Sequence, residues 1–207
     1  MVTGRIHVQR SSMSPTPKSY VSIQLPLGGH SFSRANLEKI VVDAESHLVA
    51  TLHTAKCVAV PAEIFRKEDC ASYLASSAIA VESNECVVYS DTEQPIVAVM
   101  VVNKECHELL SKSYGTRLHY TTPLLLTPAP EQGTVIHLSA GVLYIRVAND
   151  GLRLAEVIQV TNDADILYYL ERTHRVFNIY NMYARAEGET QRLMSIGKKV
   201  FTKIVCE

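Results

Sequence analysis

Apolar residues between Thr134 and Val160 fall in the pattern of three consecutive strands. Residues 142–147 are rich in β-branched and aromatic side chains. They run into Asn149-Asp150-Gly151, whose Asp-Gly pair favours the φ > 0 conformations of a tight hairpin. Leu152, Leu154 and residues 157–160 supply the third run. The period then becomes helical, with Asn162 or Asp163 as cap and Ile166, Leu167, Leu170 and Val176 on the apolar face. A strand over 177–184, a helix over 187–196 and a closing strand over 199–205 complete the second half.

The first half reads less regularly. Residues 1–19 are polar and Ser/Pro-rich, which predicts a flexible tail, although Ile6 and Val8 could add an edge strand. Val21, Ile23 and Leu25 alternate with polar residues as in a half-buried strand. Pro26-Leu27-Gly28-Gly29 turns the chain, His30-Ser-Phe-Ser33 starts back, and 37–42 is a third strand candidate. The next apolar run is 57–61, where Pro61 ends a strand rather than sitting inside it. A helical pattern spans 63–79, and strands follow at 85–89 and 96–102. The unbroken apolar run 96–102 suits a central strand buried on both faces. Asn103 caps a helix carrying His107, Leu109, Leu110 and Tyr114, which Gly115 ends. Another strand is expected over 118–126. The proline-rich stretch 127–133 is the best internal boundary, dividing a lobe over 20–127 from one over 134–207.

Composition narrows the function classes. With 47% hydrophobic residues the chain can bury a core. A formal charge of −1 leaves no general attraction to nucleic acid or acidic lipid, so neither nucleic-acid binding nor membrane insertion is expected. Cys57, Cys70, Cys86, Cys106 and Cys206 are scattered without C-x-x-C spacing, which reads as buried free thiols. No apolar run approaches the roughly 20 residues that span a bilayer, and a cytoplasmic protein is the expectation.

The segments YVSIQLPLGGHSFS (20–33), VAVPAEIF (58–65) and DILYYL (165–170) resemble a bacterial family of unknown function with the actin-like ATPase fold. That family is similar in organisation to the cytoplasmic assembly proteins of pilus and type II secretion systems. The resemblance implies an α/β (α+β) protein of two ribonuclease-H-like lobes, each opening with a three-stranded meander. In active members of the actin-like superfamily each lobe contributes an Asp-x-Gly turn that holds phosphate and metal between the lobes. Laid over that pattern, Gln24 and Pro26 stand in the first turn. His137 and Ser139 stand in the second, with Gly141 just beyond. Neither turn keeps its carboxylate, and proline removes a backbone donor. Neutral Gln and His are poor ligands for Mg²⁺, which takes oxygen and favours carboxylates. The expectation is a catalytically inactive actin-like module, a scaffold or regulatory interaction protein. The alternative is a nucleotide-binding switch or ATPase with non-standard metal ligands.

No other constellation changes this reading. Asp163 and Asp165 could be called a metal pair, but their place at a helix start favours capping. His47, His53, His107, His119, His137 and His174 form no zinc-binding spacing, and Cys106-His107 points its two side chains apart on a helix. Ser139 falls short of G-x-S-x-G, and Gly28-Gly29 is no phosphate cradle. Arg192, Lys198, Lys199 and Lys203 read as a solvated face. No catalytic residue or metal ligand is assigned, the cofactor-binding residues are unknown, and no cofactor is expected beyond weak ATP binding. A protein partner or self-association through exposed tyrosines is expected instead.

Overall fold

The computed structural model describes residues 8–9, 19–40, 45–128, 131–177 and 183–206. The chain divides into two compact units, Met1–Thr122 and Pro123–Glu207.

In the second unit β8 (Gln132–Ser139), β9 (Val142–Asn149) and β10 (Leu152–Gln159) form the expected antiparallel meander. Both connections are two-residue turns with left-handed backbone: Ala140 and Gly141 at φ 52° and 73°, Asp150 and Gly151 at 52° and 104°. Turns of this hand match the twist of the strands they join. Helix α4 (Asp163–Phe177), strand β11 (Tyr183–Gly188), helix α5 (Thr190–Gly197) and strand β12 (Lys203–Cys206) follow. The sheet order is β10-β9-β8-β11-β12, with β11 parallel to both β8 and β12. One face carries the core: Ile136, Leu138, Leu143, Ile145 and Ala184 pack beneath Ile166 and Leu170 of α4 and Leu193 of α5. Three expectations need correction. Val176 is 66% exposed rather than on the buried face. The strand expected over 177–184 starts at Tyr183, since α4 continues through Phe177 and 178–182 lie outside the described residues. The closing strand begins at Lys203, because Val200 and Phe201 still pack into the core below α5.

The first unit is built differently. β1 (Val8–Gln9) pairs antiparallel with β2 (Tyr20–Pro26), as the edge-strand expectation for Val8 had it. Ile6 and the rest of the expected tail, residues 1–7 and 10–18, lie outside the described residues. No return strand forms over His30–Ser33. Leu27–Gly29 is a 3-10 turn and Arg34–Leu37 the short helix α1, begun by a capping box between Ser33 and Asn36. Of the strand candidate 37–42, Leu37 is helical and residues 41–42 lie outside the described residues. The meander expected of this half is therefore absent from the described residues. Its place is taken by β3 (His47–His53), to which the pattern assigns no strand. β3 runs parallel to β2, with β7 (Leu118–Thr121) parallel on its far side, and Leu48, Ala50 and Leu52 are fully buried.

A second sheet in this unit has the order β4 (Cys57–Pro61), β6 (Ile96–Asn103), β5 (Glu85–Tyr89). Every residue of β6 from Ile96 to Val102 is buried, which is why its apolar run is unbroken. Pro61 closes β4 as expected. The helical pattern over 63–79 resolves into two 3-10 turns and α2 (Cys70–Ser76), whose Cys70 and Leu74 pack on Val99 and Val101. Asn103 caps α3 (Lys104–Tyr114) by accepting from the Cys106 amide at 3.0 Å, and Gly115 follows at φ 53°. β7 stops at Thr121 rather than reaching Leu126, because Pro123 has no amide to continue the ladder. Among the described residues no helix is long and apolar enough to cross a membrane.

Candidate functional site

The turn after β2 is closed by packing. Leu27, Gly28 and Gly29 all have positive φ, and both glycines are buried. A Cβ on Gly29 would lie 2.8 Å from Cys106 Sγ, and one on Gly28 would lie 3.3 Å from the Val101 carbonyl. The glycines thus let the turn sit tightly on β6 and α3. Gln24 is exposed and accepts from His53 Nε2, and Pro26 pairs with His53 in the β2–β3 register. Cys106 is fully buried, and burial pushes its thiol up to about 12, which keeps it protonated and unreactive.

A carboxylate that sequence reasoning missed lies close to this turn. Glu85 Oε2 accepts from Lys56 Nζ at 2.7 Å, and its Oε1 lies 3.2 Å from Nε2 of His30, the residue directly after Gly29. The Glu82 amide donates to it as well, at 2.8 Å. Its side chain is 5% exposed. Burial alone would raise this carboxyl, but Lys56, the Glu82 amide and His30 hold it below its usual range.

The second turn has a similar arrangement, with its histidine more deeply covered: the His137 side chain is 11% exposed and that of His30 40%. Along β8 the side chains alternate, so Val135, His137 and Ser139 face away from the helix-covered core. Glu187 on β11 stands directly opposite His137, and Tyr144 on β9 does so from the other side. His137 Nε2 lies 3.2 Å from Ser139 Oγ, and its Nδ1 lies 3.5 Å from Glu187 Oε2. Its ring meets Tyr144 edge-on at 5.8 Å. Glu187 also takes the Thr127 hydroxyl at 2.7 Å and the Arg185 guanidinium at 3.4 Å. Arg146, 6% exposed, donates to the Thr127 carbonyl, and Arg185 donates to that of Pro128 at 3.3 Å.

The electrostatics of this cluster follow from its inventory. Burial would raise the Glu187 carboxyl, but hydrogen bonds from His137 and Thr127 and the charges of His137 and Arg185 hold it low. Burial pulls Arg146 below its ordinary value, with Glu187 opposing and Arg185 adding to the effect. Two guanidiniums against one carboxylate leave a net positive charge even with His137 neutral. Such a site repels a divalent cation, and Glu187 Oε1 already accepts from the Thr127 hydroxyl. Among the described residues no three His, Cys, Asp or Glu side chains converge as metal ligands.

The remaining candidates are dispersed. Asn162 Oδ1 accepts from the Ala164 and Asp165 amides at 2.8 and 3.0 Å, while Asp165 returns to the Thr161 and Asn162 amides. That reciprocal cap, with Asp163 paired to Arg192 at 2.6 Å, accounts for both acids as helix-end groups. His47 and His119 meet across β3 and β7 at 2.7 Å, and His107 Nδ1 lies 2.8 Å from the Tyr120 hydroxyl. His53 lies with Gln24, and His174 lies in the last turn of α4. Neither acid stood out in the sequence: Glu85 opens the apolar run 85–89, and Glu187 fell at the start of the helix expected over 187–196, which begins instead at Thr190.

Comparison with known proteins agrees with this architecture. A Bacteroides thetaiotaomicron protein with an actin-like ATPase fold and unknown function superimposes with a TM-score of 0.67 at 15% identity, over 84% of this chain and 75% of that one. The chain therefore has the actin-like ATPase fold. The cytoplasmic domain of EpsL, an inner membrane component of the type II secretion system of Vibrio cholerae, matches at a TM-score of 0.38 and 16% identity, over 70% of this chain and 63% of that one. A likeness that loose carries no argument. No curated protein matches the sequence. The family model for a protein of unknown function, DUF3822, matches residues 35–181, and the chain belongs to that family.

Proposed function

We propose that the protein is a cytoplasmic actin-like module of two ribonuclease-H-like lobes that does not hydrolyse ATP and serves as a scaffold or regulatory interaction protein. The observation that carries this reading is the charge around the second turn. Phosphoryl transfer needs a metal to neutralise the phosphates and a group to place the nucleophile. Here the acid beside the turn is paired with Arg185 and lies against His137, with Arg146 buried nearby. At the first turn Lys56 and His30 occupy Glu85 in the same way, and the glycines are spent on packing. Phosphate release from ATP by the purified chain is the direct test, with and without Mg²⁺. The expected result is no magnesium-dependent turnover above buffer, and calorimetry should give the same weak or absent ATP binding in both conditions. Magnesium-dependent release abolished by Glu187→Gln would replace this reading with an ATPase using non-standard ligands.

A further inference from the structure

We propose that the gap between the outer edges of β5 and β7, in the first unit, docks an extended basic segment of a partner protein. β5 is the last strand of the three-stranded sheet and β7 the last of the four-stranded one. Their facing edges meet in an isolated parallel bridge between Ser90 and Tyr120. Among the described residues no other strand pairs with either edge. Ahead of the bridge the edges part around a pocket of about 580 Å³, bounded by residues 87–89 of β5 and 118–120 of β7. Strand edges of this kind present amide and carbonyl groups that an added strand satisfies.

The side chains around the gap select the occupant. Asp91 and Glu93 stand on the turn leaving β5, and among the described residues no lysine or arginine lines the pocket. Tyr20 and Tyr89 are 38% and 39% exposed there. His119 also lines the pocket, and its hydrogen bond to His47 fixes its ring. Tyr20 packs against His47 and Tyr89 against Phe65, which leaves each ring partly exposed beside the two carboxylates. Carboxylates beside partly exposed aromatic rings attract an ammonium or guanidinium group through charge and the ring quadrupole. Paired strand edges add a demand for extended backbone, which a free small cation does not meet. The gap opens at Tyr20, where β2 starts, while the turn holding Gly28 and Gly29 follows its end at Pro26. Those ends are roughly 20 Å apart along the strand, so this surface is separate from the first turn.

The interaction reading above gives this site its purpose, but the site does not depend on the missing ATPase chemistry. The test is binding of a fluorescent, acetylated hexapeptide of alternating valine and arginine to the full chain, beside its valine–glutamate counterpart and argininamide. The arginine peptide should bind with a Kd of roughly tens of micromolar. It should also slow amide exchange at 87–89 and 118–120, and the glutamate peptide should do neither. Asp91→Asn with Glu93→Gln keeps the turn's hydrogen-bond acceptors and should weaken the arginine peptide about tenfold. Equal binding of both peptides, no binding, no effect of the double variant, or argininamide binding as tightly as the peptide would each overturn the proposal. Magnesium-dependent ATP turnover alongside peptide binding would remove the inactive-module reading alone. Absent turnover with absent peptide binding would remove this site alone.

Discussion

The two units end their first long strand in opposite ways. β8 passes through Ala140-Gly141 into an antiparallel neighbour, and Asp150-Gly151 repeats the step, so one five-stranded sheet grows on one core. β2 ends in Pro26 and a buried glycine pair that directs the chain into α1, and its next partner, β3, lies parallel. Among the described residues the first unit consequently holds two sheets whose outer strands β5 and β7 pair at the Ser90–Tyr120 bridge. Turn chemistry, more than strand composition, decided which architecture each unit took. Both units nevertheless place one half-buried glutamate near their turn and tie it to their own cations.

The largest expected effect separates the two uses of glycine. Gly188, at φ 75°, lets the end of β11 close on β8, and a Cβ there would run into the Leu138 carbonyl. Gly188→Ala should cost about 3–5 kcal/mol and unfold the second unit first, read by hydrogen exchange across residues 131–206. Gly29→Ala should cost less, about 2–3 kcal/mol, and act on the first unit, because its nearest neighbour is the Cys106 side chain rather than backbone. Equal losses in the two units would deny that the second unit's sheet is the more tightly closed.

Glu187→Gln leaves Arg185, Arg146 and His137 without their shared anion and should destabilise the second unit by about 3 kcal/mol in chemical denaturation. Both carboxyls are held low in the folded state. Their stabilising contribution is therefore complete above the ordinary glutamate value, about 4.3, and is lost as pH falls through the lowered folded values. Melting temperature between pH 6 and 3, roughly the carboxylate range, should drop less steeply in Glu187→Gln and Glu85→Gln than in the wild type, each in its own unit. An unchanged slope in either variant would remove that carboxylate from the comparison. The smallest pair of effects concerns matched caps. Asn103→Ala and Asn162→Ala should each cost about 1 kcal/mol, since each side chain accepts amides at the start of a helix.

Much of the second unit is legible in the chain alone. Asp150-Gly151 announces its hairpin, Asn162 its helix start, and the unbroken run over 96–102 likewise announces β6 in the first unit. In the first sheet β2 and the start of β7 were legible, but the strand between them was not. His47–His53 is flanked by histidines and interrupted by Thr51, yet it becomes a buried central strand because β2 and β7 cover both its edges. The return strand expected at His30–Ser33 failed because two glycines at positive φ serve close approaches to the Val101 carbonyl and to Cys106 rather than a hairpin.

The candidate site divides along the same line. That Gln24, Pro26, His137 and Ser139 are not carboxylates is a property of the sequence, fixed before any folding. That Glu187 stands against His137, and Glu85 against Lys56 and His30, was decided only by tertiary structure. Local propensity reaches a few residues along the chain, whereas the register of β11 on β8 joins segments separated by a hairpin, a third strand and a helix. The cost of burying each acid sets which cations must accompany it, and only the folded packing brings those cations within reach.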